Sequence, residues 1–423
     1  MARQMKDSGV EWIGEIPEGW NVVRIGSQYT ERKTKVSDTE YPPLSVTMKG
    51  ILPQLSTAAK TDAHDDRKLV CVGDFAINSR SDRRGSCGIS AYDGSVSLIN
   101  TILCPRDEMN PHYYDWLFHS TMFSDEFYKW GHGIVDDLWT TNWQDMKRIS
   151  IPEPPLSEQR RIAAFLDRRC AEIDAVIERT KATIEEYKKL KQAVITEAVT
   201  KGVRGERKMK DSGIEWIGEI PEEWEVSRVK YVSDFEPSSR RDDLNNESII
   251  TYTPMDCIKN GWFINNTAPL GSVSSSLTAY QEGDIVLAKV TPCFENGNIA
   301  IMKGLASGFG LGSSELFVIR TVSIDNKYMF YWLRNEGFIQ RACATMTGTG
   351  GLKRVSPAFV KDCFIHMPPA TEQAEIVAYL DEKCAALDTL IAKKAALLTE
   401  LETYKKSLIY EYVTGKKEVP ACP

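Results

Sequence analysis

The sequence predicts a mixed α/β (α+β) protein, with two similar globular domains joined by two long helices that pack antiparallel as a coiled coil. The first observation is a block, Met5–Trp20, that returns almost unchanged at Met209–Trp224. The second is a shorter block, Pro154–Gln159, that returns as Pro368–Gln373, each time before a long stretch with helical periodicity. Repeats at domain-sized spacing indicate a duplicated half rather than a solenoid, so we expect an internal pseudo-twofold axis.

The shorter block predicts where each long helix begins. It reads PPLSEQ in the first half and PPATEQ in the second. The Pro-Pro pair disfavours helix before it, and Ser157 and Thr371 are the predicted N-caps. Glu158 and Glu372 then fall in the first turn, where a carboxylate suits the positive end of the helix dipole.

Apolar side chains recur beyond each start at the alternating spacing of three and four residues that is typical of coiled coils. The same positions recur in both halves, which favours pairing of the two helices with each other. The block Met5–Trp20 is then expected near the C-terminal helix. The alternative is that each helix lies separately on its own domain. The predicted packing positions are Leu166, Ile173, Ile177 and Ile184 in the first helix and Leu380, Leu387, Ile391, Leu398, Leu401 and Leu408 in the second.

These blocks divide the chain into a first globular domain (1–153), a first spacer helix (154–202), a second globular domain (203–367) and a second spacer helix (368–416). The globular domains share three landmarks in the same order. These are a Gly-Asp turn before an apolar strand, a short aromatic helix and a glycine-rich hinge. A common scaffold with different surfaces predicts two versions of one task. The landmarks lie at 72–77, 113–117 and 131–133 and at 282–287, 329–333 and 348–351.

Composition excludes several classes of protein. With 423 residues, 42% apolar and 26% charged, the chain is long enough for two soluble domains. It has no apolar run of about 18–20 residues and no signal-peptide core, which predicts a cytoplasmic protein with no membrane partner. Ten scattered cysteines without a C-x-x-C pair, and five dispersed histidines, predict reduced thiols and no metal site.

Motifs for catalysis are missing from the sequence. No G-x-x-x-x-G-K-[ST] run is present to bind ATP, and no Asn/Asp-Pro-Pro-aromatic run of the amino-methylating enzymes is present. The glycine-rich stretch 308–312 reads as a loop entering a strand, so a cofactor-binding turn is not favoured there. We therefore expect this chain not to be an enzyme.

The main candidate nucleic-acid contacts follow the Gly-Asp strand in both halves, and secondary candidates lie at 238–241 and in the glycine-rich segment 347–354. Base reading needs Arg, Lys, Asn or Gln at base edges, with basic and hydroxyl side chains on phosphate. An ordinary polar loop is the alternative, and the net charge of −7 is unusual for a protein that binds DNA. The predicted contacts are Asn78, Arg80, Ser81, Arg83 and Arg84 in the first domain and Arg240, Arg241, Lys289, Thr291, Asn296, Lys353 and Arg354 in the second.

The motif set resembles the specificity subunits of type I restriction-modification enzymes. The resemblance rests on the helix starts PPLSEQRRIAAFLD and PPATEQAEIVAYLD, the two EWIGEIP openings, and the alternation of repeated and variable regions. It implies two target-recognition domains that each read half of a bipartite, asymmetric site in double-stranded DNA. It also implies docking of two modification (methyltransferase) subunits and of restriction (translocase) subunits.

The resemblance assigns the chemistry to the partner subunits. The assembled complex would be a DNA adenine methyltransferase and ATP-dependent endonuclease. S-adenosylmethionine, ATP and Mg²⁺ are expected in those subunits, and no cofactor is expected in this chain. The alternative function is a non-enzymatic, duplicated protein-interaction scaffold, which accounts for the repeat and the acidity but not for the arginine-rich loop.

Overall fold

The computed structural model describes residues 3–54, 65–133, 139–239, 243–274, 276–349 and 351–420. The chain forms two compact units. Unit 1 contains residues 1–181 and 396–423, and unit 2 contains residues 182–395. The units differ from the predicted segments because each one includes part of both long helices as well as a globular domain.

Unit 1 is built from short strands and four short helices, followed by the start of the first long helix. The helices are α1 (Ile25–Gln28), α2 (Pro111–Phe118), α3 (Thr121–Lys129), α4 (Trp143–Met146) and the long α5 (Leu156–Lys201). The strands are β1 (Met5–Asp7), β2 (Glu15–Pro17), β3 (Asn21–Arg24), β4 (Tyr29–Glu31), β5 (Lys35–Val36), β6 (Leu44–Thr47), β7 (Gly50–Pro53), β8 (Arg67–Val70), β9 (Phe75–Asn78), β10 (Cys87–Ile89), β11 (Gly94–Ser97), β12 (Asn100–Pro105) and β13 (Ser150–Glu153).

The largest sheet of unit 1 has the strand order β10-β9-β12-β4, and a second sheet has the order β11-β8-β5. Strand β9 follows the Gly-Asp turn, as the sequence predicts. The predicted aromatic helix is α2, whose N-cap Asn110 accepts hydrogen bonds from two backbone amides. It buries Tyr113, Tyr114 and Phe118 against the sheet, and the Phe118 ring lies 5.0 Å from that of Phe75.

Unit 2 has a similar architecture, with two four-stranded sheets. Its helices are α6 (Val229–Val232), α7 (Asn326–Trp332), α8 (Glu336–Ala344), α9 (Pro357–Asp362) and the start of the long α10 (Ala370–Val413). Its strands are β14 (Met209–Asp211), β15 (Glu219–Pro221), β16 (Glu225–Arg228), β17 (Ser233–Phe235), β18 (Ile249–Thr253), β19 (Asn266–Pro269), β20 (Thr278–Gln281), β21 (Ile285–Ala288), β22 (Ile299–Ile301), β23 (Phe309–Gly312), β24 (Leu316–Thr321) and β25 (Phe364–Met367).

The sheets of unit 2 have the orders β17-β24-β21-β22 and β19-β18-β23-β20. The glycine-rich stretch that the sequence predicts as a loop is itself strand β23, which pairs with β18 and β20. The buried ring of Tyr280 on β20 lies over this strand, and a Cβ at Gly310 would collide with it. The glycine therefore makes room for a neighbouring aromatic ring within the sheet.

The two long helices begin two residues earlier than a cap at Ser157 or Thr371 would allow. Helix α5 begins at Leu156 and helix α10 at Ala370, so both hydroxyl residues lie inside the first turn. The carbonyl oxygens of Pro155 and Pro369 already accept hydrogen bonds from the amides of the following Glu and Gln residues. The N-cap prediction is therefore wrong, because the proline carbonyl starts the helical hydrogen bonding.

In each unit the two long helices pack antiparallel, as predicted. In unit 1 the Phe165 and Tyr412 rings are 4.5 Å apart, and Lys405 Nζ lies 2.6 Å from Asp174. In unit 2 Lys191 Nζ lies 2.7 Å from Asp388. Of the predicted packing positions, Ile391, Leu398 and Leu401 are half-buried, and the others, Leu166, Ile173, Ile177, Ile184, Leu380, Leu387 and Leu408, are buried.

The opening blocks are tied to the long helices by a contact that the sequence does not reveal. Trp20 donates an indole hydrogen bond to Glu158 (2.8 Å), and Trp224 donates the same bond to Glu372 (3.0 Å). Tyr410 of α10 also donates to the carbonyl of Trp12, which confirms the expected position of the first block beside the C-terminal helix. Within the described residues, no helix has the length and apolarity needed to cross a membrane.

Candidate nucleic-acid interface

The arginine-rich stretch of unit 1 is a compact turn at the end of β9. Ser81–Arg83 forms a short 3-10 helix. The side-chain oxygen of Asn78 accepts a hydrogen bond from the Arg80 backbone amide (3.1 Å), and the backbone amide of Asn78 donates to the Ser86 carbonyl (2.8 Å). The backbone of the turn is therefore fixed at both ends, although the side chains are polar.

This turn is joined to the segment after the predicted glycine hinge. Arg80 forms an antiparallel bridge with Thr140, which also bridges to His132 in the hinge. The Ser81 amide donates to the Trp139 carbonyl at 2.9 Å. Two polar segments that are far apart in the sequence thus form one surface.

The turn forms one wall of an open cleft of about 600 Å³. Strand β6 and the following Met48 also line the cleft. Arginine and amide side chains line the cleft, with one carboxylate among them, which makes its wall locally basic. These residues are Gln54, Arg67, Asn78, Arg80, Asp82, Arg83, Arg84 and Asn100.

The three arginines of the turn differ in their partners. Arg80 Nε lies 3.0 Å from Asp82 Oδ1, and 39% of its side chain is exposed. Arg83 is 68% exposed and lies 3.9 Å from Asp82. Arg84 donates to Asp125 at 3.1 Å and stacks over Tyr128. Arg84 is therefore held by the protein, whereas Arg83 extends into solvent.

Unit 2 has the same backbone frame at the aligned position. The Thr291 amide donates to the Lys353 carbonyl, and the Val355 amide donates to the Lys289 carbonyl, both at 2.9 Å. Val290 forms the bridge to Arg354 that Arg80 forms to Thr140 in unit 1. The predicted loops at 289–298 and 347–354 are therefore parts of one surface, which their separation in the sequence does not reveal.

The side chains on this second frame are differently engaged. Thr291 is buried and donates its hydroxyl to the Gly351 carbonyl (3.0 Å). Arg354 forms a bidentate pair with Glu315 (2.7 and 2.9 Å), and the hydrogen bond from Arg354 lowers the pKa of that carboxyl. Both residues hold the loops together within the protein.

The remaining predicted contacts of unit 2 are more open. Lys289 is half-buried, with its ammonium 5.6 Å from the centre of the Phe317 ring. Asn296 and Lys353 have exposed side chains. Arg240 and Arg241 lie outside the described residues.

The aspartate of each Gly-Asp turn has a structural partner that sequence reasoning missed. Asp74 forms a bidentate pair with Arg32 (2.6 and 3.0 Å), and Asp284 forms one with Arg320 (2.7 and 2.8 Å). Both aspartates are almost fully buried. The recurrence of Gly-Asp in both halves was the available signal. It marks the turn that positions each candidate loop, and the aspartate itself does not face a ligand.

Comparison with known proteins agrees with the duplicated architecture. Residues 221–402 match the type I restriction modification DNA specificity domain. The specificity subunit of the type I restriction enzyme MjaVIII from Methanocaldococcus jannaschii is 27% identical over 431 residues, which cover 96% of this chain and 94% of that protein. In sequence the chain is thus similar to type I restriction-modification specificity subunits, through this domain and along most of its length. The EcoEI specificity subunit of Escherichia coli is 33% identical over 193 residues, or 44% of this chain.

The matched region spans only 32% of the EcoEI subunit, and likewise 32% of the Escherichia coli EcoAI subunit. Two solved structures share the fold over 95% of this chain. One comes from a structural study of complex assembly and conformational transition of the type I restriction-modification system. Its TM-score is 0.72, its sequence identity is 16%, and 99% of that chain is covered. The other is the HsdS subunit of Thermoanaerobacter tengcongensis, with a TM-score of 0.52, 18% identity and 98% of that chain covered.

Proposed function

We propose that this chain is the DNA-recognition subunit of a type I restriction-modification complex and reads an asymmetric, bipartite site in double-stranded DNA. The observation that carries the proposal is the pair of equivalent loop frames. In unit 1 the frame presents Arg80, Arg83 and Arg84, whereas in unit 2 it presents Lys289, Asn296 and Lys353. Two readers that share a scaffold but differ in side chains suit two different half-sites. Thr291, Arg354, Asn78, Ser81, Arg240 and Arg241 remain predicted contacts.

The local charge of the interface supports DNA as the ligand despite the net charge of −7. Four arginines and one aspartate line the cleft in unit 1. Neutralisation of phosphates by such side chains releases counterions, which supplies much of the affinity of a DNA-binding protein. Acidic residues elsewhere on the chain weaken that attraction little, because charges more than about 10 Å apart are screened at physiological salt.

In this proposal the chain supplies recognition, and its partners supply the chemistry. Two modification subunits would dock with it, together with restriction subunits in the complete enzyme. S-adenosylmethionine, ATP and Mg²⁺ would be bound by those partners, and the complex would act in the cytoplasm. A duplicated protein-interaction scaffold remains the rival, and it predicts no sequence-dependent binding to DNA.

Methylome sequencing tests the proposal directly. The chain would be expressed with its modification partner in a host that lacks other DNA methyltransferases, and methylated adenines would be mapped. We expect one motif with two different half-sites separated by unspecified bases. A continuous or palindromic motif would contradict the division of labour, and the absence of any motif that depends on this chain would favour the scaffold.

A further inference from the structure

We infer that Arg80 reads a guanine in the half-site bound by residues 21–153, and that Asp82 positions it for that contact. This inference rests on the proposed function and adds the identity of one base. It is carried by the difference between Arg80 and the other arginines that line the same cleft. That difference concerns which guanidinium donors are already in use.

Two of the four arginines that line the cleft, Arg67 and Arg84, donate hydrogen bonds within the protein, as does Arg32 of the same domain. Arg32 forms its bidentate pair with Asp74, and Arg67 donates to the hydroxyl and the carbonyl of Ser95. Arg84 donates to Asp125. In Arg80, by contrast, Nε is paired with Asp82, and no residue in the described parts of the chain accepts a hydrogen bond from the two terminal Nη groups. These Nη donors face the open cleft that Arg80 lines, where a ligand can accept from them.

Arg80 is nevertheless held in place. Its backbone is fixed by the bridge to Thr140 and by the hydrogen bond from its amide to Asn78. Its Nε is fixed by the ion pair with Asp82 (3.0 Å). A long side chain that is ordered before binding loses less conformational entropy when it binds, so its contacts contribute more to affinity. Arg83, which is more exposed and lies farther from Asp82, better suits a contact to phosphate.

The chemistry of a positioned guanidinium selects guanine. Arginine has only donors, arranged as a planar fork. In the major groove guanine presents two adjacent acceptors, N7 and O6, which match that fork. Adenine replaces the second acceptor with the N6 amino donor, and the pyrimidines present at most one acceptor. The aligned residue in unit 2 is Val290, which is buried and has no polar group to make such a contact.

The test is a selection of binding sites from random double-stranded DNA by the full chain in complex with its modification subunits. Wild type would be compared with Arg80→Gln, Arg80→Ala and Asp82→Asn. Arg106→Lys, an exposed arginine outside the cleft, is the control. Enrichment at each base pair would be measured relative to the other pairs of the same site, which separates base preference from overall affinity.

We expect one base pair in one half-site to lose its preference for guanine by about tenfold or more in Arg80→Ala. Arg80→Gln should shift that pair toward adenine, because a glutamine amide matches adenine N6 and N7. Asp82→Asn should weaken the same preference and leave the other pairs unchanged. Specific binding by wild type with no guanine preference that depends on Arg80 would overturn the inference alone. If wild type itself shows no sequence-specific binding to DNA, the result would instead contradict the proposed function.

Discussion

The candidate interfaces of the two units share a backbone frame and differ in almost every side chain on it. In unit 1 the bridged position is Arg80, which lines a basic cleft, whereas in unit 2 it is Val290, which is buried. The hinge partner is Thr140 in one unit and Arg354 in the other. Backbone hydrogen bonds do not depend on side-chain identity, so this frame tolerates divergence of the side chains. The comparison teaches that the position of the reading surface is separable from its specificity.

The opposite holds where each unit contacts the long helices. There the sequence repeats, and so do the contacts: Trp20 with Glu158, and Trp224 with Glu372. The glutamine after each glutamate also repeats its bonds. Gln159 accepts from the Asn110 amide, and Gln373 accepts from the amide of Asp325, which caps α7. These bonds depend on particular side chains, so the sequence cannot diverge without breaking them.

The largest difference in stability between the two units is expected when Glu158 in unit 1 and Glu372 in unit 2 are each replaced by alanine. Glu372 is fully buried and pairs with Arg207, which is itself only 13% exposed, whereas Glu158 is 19% exposed. Glu372→Ala would leave Arg207 buried without a counter-charge, which costs about 3–5 kcal/mol. Glu158→Ala should cost less, because water can reach its partner Arg3. Hydrogen exchange of β16 and β3 would give the free energy of opening in each unit.

Glu375→Ala is the matched control for that comparison. Glu375 lies on the same helix, one turn from Glu372, but is 47% exposed and pairs with the exposed Arg204. Water screens an exposed ion pair, so this variant should change the opening energy little. Equal effects of the Glu372 and Glu375 substitutions would show that burial does not set the strength of the contact.

A smaller difference in stability between the two units is expected when the pH is lowered. His366 on β25 is buried and accepts a hydrogen bond from the Trp332 indole, and burial lowers its pKa to about 4. Because the unfolded state binds a proton at higher pH than the folded state, stability should fall as the pH drops below about 6.5. Between pH 7 and pH 5 the loss is about 2 kcal/mol. The aligned residue on β13 is Pro152, which cannot titrate.

Hydrogen exchange at both pH values, corrected for intrinsic rates, would measure this difference. Opening of β25 should become easier at pH 5, by the amount given above, relative to β13 in the same sample. His366→Gln keeps an acceptor for Trp332 but cannot take up a proton in this range. It should therefore abolish the difference. An acid effect of equal size in the variant would assign the loss of stability to other groups.

The sequence predicted the parts of this fold that are local or periodic. The heptad positions and the aromatic helix at 113–117 follow from spacing alone, and both match the structure. The helix starts were placed two residues late, because the helical hydrogen bonds already begin at the carbonyl of Pro155, two residues before Ser157. The strand at 309–312 was missed because Gly310 is explained only by the distant ring of Tyr280, and Gly312 by its contacts with Thr253 and Leu316.

The candidate site was only partly predictable for the same reason. The arginine-rich turn at 78–86 is continuous in the sequence and could be found there. The partners of Thr291 and Arg354 lie far along the chain, so the sequence could not show that these two side chains are already engaged. The sequence around Asp82 does not indicate that this residue positions Arg80, because charged side chains close together in the sequence usually extend into solvent without contacting each other.

The central claim, that one frame carries two independent specificities, is tested most directly by exchange of residues 21–153 for the corresponding domain of another specificity subunit. Both long helices and residues 225–367 would be kept. Methylated adenines would then be mapped in a host that carries the hybrid and the modification partner. The account predicts that one half-site changes and that the other half-site and the number of bases between them are preserved. A change in both half-sites, or in the spacing, would contradict it.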